Sequence, residues 1–205
     1  MAMRKRLPAP ERRKVILQAA LSTFAEQGYH GAIMETIARR ANVTKPILYR
    51  HFPSKLELLK ALIRETGEQL RQALRGSDEE TASLNWEERI RRDVDAYLTF
   101  VSGNEMGFRL IYTSDVNVNQ EVVDLINEIR EGYIEDVATV IASYTDTSRF
   151  PRERVKTVAA LLVGMVEYAV RRWLERRDLP LQEYRENLVW AIRCILARLP
   201  AKPSR

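Results

Sequence analysis

The chain has 205 residues, 30% of them charged, and a formal net charge of +5. That length carries one or two domains with an ample core. A single cysteine, Cys194, excludes an internal disulfide framework, and two histidines, His30 and His51, are too few for a histidine-rich metal centre.

No stretch stays apolar for the roughly eighteen residues a membrane helix needs, so neither a spanning segment nor a membrane partner is expected. The basic N-terminus lacks the apolar run of a secretory signal. A lone thiol and no signal fit a reducing cytoplasm. Charge is uneven: residues 1–55 hold eleven Lys and Arg against three Glu, a net of +8, while residues 56–205 are net −3. A short basic head on a mildly acidic body points the head toward a polyanion.

Apolar residues recur at helical spacing from end to end, and strand signals are nearly absent. The first helix is expected from about Pro10 to Gly28, with Ile16, Ala19, Ala20 and Phe24 on one face. Two short helices follow, about Met34–Ala41 and Lys45–His51. Asn42 takes the left-handed turn between them, and Thr44 stands as N-cap of the second. After Pro53, Ser54 and Glu57 form a capping box that starts a longer helix, fading near Gly76. Beyond it, Ile90 to Val101, Met106 to Thr113, Val122 to Ile141, Pro151 to Arg177 and a last helix through Leu188 and Leu199 complete a bundle. The expectation is an all-α chain of nine helices, divided into residues 1–55 and 56–205. The ends, about 1–8 and 200–205, are expected to be disordered. Cys194 lies in an apolar run and reads as a packed thiol.

The two short helices and their tight turn can place the second helix in a major groove. That helix presents Thr44, Lys45, Pro46, Tyr49 and Arg50, while Ile47 and Leu48 turn inward. Lys and Arg read guanine edges, and Thr and Pro touch a thymine methyl. Tyr49, His51 and Lys55 can donate to phosphates. The plain alternative is that Tyr49 packs, His51 caps and Lys55 is solvated. The grouping of these residues in the basic head favours double-stranded DNA.

Three segments carry a family resemblance: Phe24-Ala-Glu-Gln-Gly-Tyr29, Ile37-Ala-Arg-Arg-Ala-Asn-Val43 and Leu48-Tyr-Arg-His-Phe-Pro-Ser-Lys55. Over residues 10–60 the chain resembles the TetR family of helix-turn-helix regulators. The resemblance implies base and phosphate contacts at Lys45, Pro46, Tyr49, Arg50 and His51, with Lys55 on the DNA backbone. It also implies a dimer joined by the last two helices, and a C-terminal domain that binds a small molecule. Ile33 departs from the family, which has Ser or Thr at this N-cap; Thr36, one turn in, offers a replacement hydroxyl. Asn42 stands where the family commonly has Gly.

The helix from Pro151 has two apolar stripes, which need two partners. The dimer interface is assigned to Leu161, Trp173, Leu188, Ile192 and Ile195, with Trp190 beside them and Gly164 permitting close approach. A homodimer presents two recognition helices to a pseudo-palindromic operator. Tyr97, Phe100, Phe108, Ile111, Tyr112, Tyr133, Met165 and Tyr168 are candidate walls of a ligand cavity, or else plain core. Gly107-Phe-Arg-Leu-Ile-Tyr112, Leu162-Val-Gly-Met165 and Arg172-Trp-Leu174 are similar to actinobacterial regulators of fatty-acid synthesis. That likeness implies a long-chain acyl-CoA or related hydrophobic effector and a role at lipid-metabolism genes, with repression the expected sign. The competing reading is a DNA-binding protein of the same fold without an effector, serving the nucleoid or cell division. Neither a phosphate loop nor a metal-ligand cluster appears, and both histidines lie in or beside the head. No enzyme and no cofactor are expected.

Overall fold

The structure is a computed structural model that describes residues 8–76, 81, 83–112 (Tyr112 by its backbone alone) and 119–202. Helical spacing is realised in nine helices among the described residues. They are α1 (Ala9–Gly31), α2 (Met34–Arg40), α3 (Lys45–His51), α4 (Lys55–Arg75), α5 (Trp86–Gly103), α6 (Glu105–Tyr112), α7 (Gln120–Tyr144), α8 (Arg152–Arg176) and α9 (Leu181–Leu196). No strand occurs among the described residues; Thr145 and Ala201 form one isolated bridge.

Packing yields two compact units, Met1–Thr66 with Met106–Leu125, and Gly67–Glu105 with Ile126–Arg205. The expected division after residue 55 falls elsewhere because the head keeps the first half of α4. Leu58, Leu59 and Ile63 are fully buried there, as are Phe108 and Val122 further along the chain.

The first unit is centred on the inner face of α1, where Ile16, Ala20 and Phe24 are buried. Thr23 lies among them and donates its hydroxyl to the Ala19 carbonyl at 2.7 Å, which satisfies this buried group. Gly28 has φ 67° and ψ 168°, a conformation essentially reserved for glycine. α1 kinks there and closes with one more short turn. α2 ends in a Schellman turn. The Val43 N–H donates to Ala38 O at 3.0 Å and the Asn42 N–H to Arg39 O at 3.1 Å, with Asn42 at φ 53°. This turn sets where α3 leaves α2.

The second unit is a helical bundle with Val94, Leu98, Val155, Ala159, Leu162, Val170 and Leu174 in its core. α5 packs on α9, and Arg185 on α9 clasps Asp95 on α5 with two hydrogen bonds. Gly67 on α4 sits tightly against α7: a Cβ there would lie 3.0 Å from Ile129 Cγ2. Its carbonyl accepts the Tyr133 hydroxyl at 2.5 Å.

α5 begins with a full capping box that the apolar pattern did not reveal. The Asn85 side chain accepts from Glu87 N and Glu88 N, both at 3.0 Å, and the Asn85 N–H donates to Glu88 at 2.9 Å. Asn85→Ala should therefore lower stability by about 1 kcal/mol in urea unfolding; an unchanged midpoint would show that water replaces the cap. At the other end of the chain, residues 200–202 are pinned rather than loose. Asp146 N donates to Pro200 O at 2.8 Å and Lys202 N to Tyr144 O at 3.0 Å. Residues 1–7 and 203–205 lie outside the described residues.

Candidate nucleic-acid interface

α3 is amphipathic over barely two turns. Leu48 is wholly buried and Ile47 half-buried, which leaves Thr44, Lys45, Pro46, Tyr49 and Arg50 exposed. Thr44 occupies the N-cap position with extended backbone, but its side chain makes no capping hydrogen bond. Pro46 stands in the first turn, where its missing N–H breaks nothing. The exposed face thus carries two cations, a phenol, a hydroxyl and an apolar ring. Thr36 on α2 is half-buried. Ile33, at the N-cap of α2, is 54% exposed and gives no side-chain cap.

The cations of this face are not idle in the free protein. Lys45 pairs with Glu35 on α2 and lies 5.8 Å from the Tyr49 ring centroid. Hydrogen bonding to Glu35 holds Lys45 above, and Glu35 below, its ordinary pKa. The pair is about half exposed on both sides. Pairs of this kind contribute little and yield readily to a stronger acceptor. Arg40 on α2 is tied to Glu26 on α1 at 2.5 Å.

His51 closes α3. Its Nε2 is shielded from solvent and makes no hydrogen bond. Burial lowers its pKa from the ordinary 6.5, and the charges of Arg12, Arg50 and Arg13 lower it further. The imidazole is therefore neutral at pH 7, within a cluster of three guanidinium groups that attracts an anion. A phosphate docked beside it would favour the protonated form, so affinity for DNA should rise as pH falls from about 8 to about 6. For the free head the sign is opposite: folding favours neutral His51, and that contribution fades as pH drops below 6.5. DNA-binding anisotropy across this range tests the first statement. A flat profile, or a slope that survives His51→Gln, would remove His51 from the phosphate contacts.

Lys55 does not stand free on the surface as a phosphate ligand would. Its ammonium donates to Tyr29 O at 2.7 Å, Ala32 O at 2.9 Å and His30 O at 3.2 Å, and lies 4.6 Å from the Tyr29 ring centroid. All three N–H groups are engaged within the head. Arg12 and Arg13, unassigned from sequence, join the basic cluster; their signal was the basic run at the start of α1.

Comparison with known proteins now bears on this face. The family model for bacterial regulatory proteins of the tetR family matches residues 16–62. The model for the tetracyclin repressor-like C-terminal domain matches residues 86–194. The HTH-type transcriptional activator FasR of Mycolicibacterium smegmatis is 34% identical over 182 residues, 87% of this chain and 78% of FasR. The chain belongs to the TetR family. The fatty acid metabolism regulator protein of Bacillus subtilis is 22% identical over 163 residues, covering 78% of this chain and 81% of that protein. A TetR-like transcriptional regulator from Rhodococcus sp. RHA1 superposes with TM-score 0.73 at 27% identity, covering 94% of this chain and all of that one. This TetR-family chain is a DNA-binding transcription regulator with a helix-turn-helix head and a helical C-terminal domain, and it is not an enzyme. No helix among the described residues is long and apolar enough to cross a membrane.

Within the TetR-family body, Tyr97 on α5 is half-buried, with its hydroxyl oxygen shielded from solvent. Burial pushes its phenol far above the ordinary range, and the charge of Glu167 adds to the shift. Tyr133 is raised by burial too, and its charge couples to the same Glu167. Glu167 on α8 accepts from Arg130 Nε at 3.0 Å. Two expected ligand contacts, Tyr97 and Tyr133, thus share a polar cluster with an ion pair. Phe100 and Met165 are half-buried. Phe108, which is buried, and Ile111, half-buried, belong to the first unit. The Tyr112 side chain lies outside the described residues. Tyr168 is 59% exposed beneath Arg171, which removes it from any internal wall.

The assignment of the pairing face also changes. Trp173, Leu188 and Ile192 are 6%, 4% and 8% exposed within the single chain, so they are packed in the core of their own bundle. The dominant stripe of each helix serves its own bundle. Exposed instead are Leu161 (66%) and Tyr168 on α8, and Trp190 (69%) and Ile195 on α9. Gly164, on the same side as Leu161 and Tyr168, has nothing within 4 Å of where a Cβ would stand. Cys194 is exposed rather than packed. It lines an open groove of about 520 Å³ between α5 and α9, together with Trp86, Arg91, Val189, Trp190 and Arg193.

Proposed function

We propose that this regulator binds a pseudo-palindromic operator as a cytoplasmic homodimer, and that a long-chain acyl-CoA sets its affinity at genes of fatty-acid metabolism. One observation carries the metabolic part. Likeness to a named fatty acid metabolism regulator extends over 78% of the chain, well beyond the DNA-binding head. Likeness to FasR extends over 87%. Heads of this family share contacts with DNA, whereas the body meets the effector, so similarity through the body speaks to what is sensed.

Pairing rests on the bare apolar side chains of α8 and α9. Singly exposed hydrophobics are ordinary, but four large ones on two adjacent helices, Leu161, Tyr168, Trp190 and Ile195, favour a partner for this part of the bundle. Two copies related by a two-fold axis would offer two α3 helices to two half-sites. For DNA reading we retain Thr36, Thr44, Lys45, Pro46, Tyr49, Arg50 and His51. The effector contacts we retain in the second unit are Tyr97, Phe100, Tyr133 and Met165. Repression is the expectation from sequence; FasR is named an activator, and a promoter–reporter assay with and without the protein decides the sign.

Native mass spectrometry of the purified protein tests the effector. A dimer carrying a discrete acyl-CoA mass, and a change in affinity for selected operator DNA on adding long-chain but not short-chain acyl-CoA, is the expected result. A bare dimer whose DNA affinity ignores acyl-CoA of every length would favour the effector-free reading.

A further inference from the structure

Lys55 is the first residue of α4, where a cation opposes the positive end of the helix dipole. The local helix gains nothing from it. The gain lies on α1, whose final carbonyls have no helical partners of their own. Beyond the kink at Gly28 the carbonyls of Tyr29, His30 and Ala32 converge, and the Lys55 ammonium donates one hydrogen to each. The Tyr29 ring stands 4.6 Å from the same nitrogen. A cation at the negative end of α1, satisfied in all three directions, is a C-terminal cap supplied by another helix.

What this cap holds is the exit of the recognition helix. Between His51, the end of α3, and Lys55 lie only Phe52, Pro53 and Ser54. Phe52 is 3% exposed and lies under Arg13 of α1, ring centroid to guanidinium carbon 5.3 Å. The Phe52 N–H still closes α3 by donating to Leu48 O at 2.9 Å. The last turn of α3 is therefore fastened to α1 at two points, an aromatic ring and a tripod of charge-assisted hydrogen bonds. Pro53 and the Ser54 cap of Glu57 stiffen the link between them.

We propose that Lys55 is a positioning residue for operator binding, acting through the α1 carbonyls to hold α3 in register, and that it does not contact DNA phosphate. The shape of the group distinguishes the two roles. An ammonium fits a tripod of carbonyls; a planar guanidinium does not, yet it is at least as good a phosphate ligand.

The test uses the full-length protein and operator DNA selected from a random pool. Kd is measured from about 50 to about 200 mM salt and corrected for the active fraction found by stoichiometric titration. Lys55→Met and Lys55→Arg should each weaken binding about tenfold, as loss of a charged hydrogen-bonding group does. The active fraction and the slope of log K against log salt should stay as in the parent protein. Tyr29→Leu keeps the carbonyl and removes the ring; it should weaken binding about threefold with the same slope, and it carries the test should the Lys55 variants not fold. A slope shallower by about 0.9 for each lost contact, with Lys55→Arg restoring affinity, would make Lys55 a phosphate ligand and overturn the proposal. A fall in active fraction with an unchanged corrected Kd would reduce it to a stability role, and unchanged affinity would leave it none.

Discussion

Trp190→Glu is expected to convert the proposed dimer into folded monomers and to cost at least about a hundredfold in operator affinity. Trp190 is 69% exposed on α9, where it lines the groove against α5, and it is the most exposed large apolar side chain among the described residues. An aromatic side chain of this size in the centre of an interface typically contributes about 2–4 kcal/mol. In a two-fold dimer the change occurs on both sides of the interface. Because Trp190 touches little of its own core, the monomer should keep its helical content and thermal unfolding. Trp173→Ala is the contrasting case. Trp173 is 6% exposed with the Arg177 guanidinium 3.6 Å above its ring, so truncation should cost about 3–5 kcal/mol of stability through the core. Sedimentation velocity and circular dichroism separate the two outcomes. A Trp190→Glu protein that sediments as a dimer at micromolar concentration sinks the assignment of this face.

Tyr49→Ala should weaken operator binding by about 1–3 kcal/mol, ten- to a hundredfold, with dimer and fold intact. Tyr49 is 38% exposed on a helix whose opposite side, Leu48, is fully buried. Its removal therefore takes nothing from the core. Its neighbour Lys45 is the natural comparison. Lys45→Ala deletes a cation that must first leave Glu35, so its loss should be smaller, and it should relax preference for guanine at one position of each half-site. Fluorescence anisotropy on the selected operator and on single-base variants measures both. Equal affinity of the parent and Tyr49→Ala proteins would take α3 out of the groove.

The helices and the head were legible because their cause is local. Apolar spacing, the Asn42 turn and the breaks at Gly28 and Pro53 each act within a few residues, and each appears in the structure where the sequence puts it. Asn85 and Glu88 are as local as Ser54 and Glu57 and share their three-residue spacing, so this cap too is legible in the sequence. Which stripe faces a partner was not legible. Spacing shows that α8 has two apolar sides, and only packing shows that the side with Trp173 is claimed by its own bundle while Leu161 is left bare. Lys55 lay further out of reach, since its acceptors are 23 to 26 positions earlier in the chain and are backbone atoms that no side-chain pattern records.

Gly67 gives α4 an uneven stiffness. The chain passes from the first compact unit to the second between Thr66 and Gly67, inside an unbroken helix. Glycine is a poor helix former, weaker than alanine by about 1 kcal/mol, and it leaves that turn without a side chain to brace it. Alanine would cure the weakness but would thrust a methyl to within 3.0 Å of Ile129. The demand for close packing against α7 thus fixes glycine at a position where the helix alone would favour alanine.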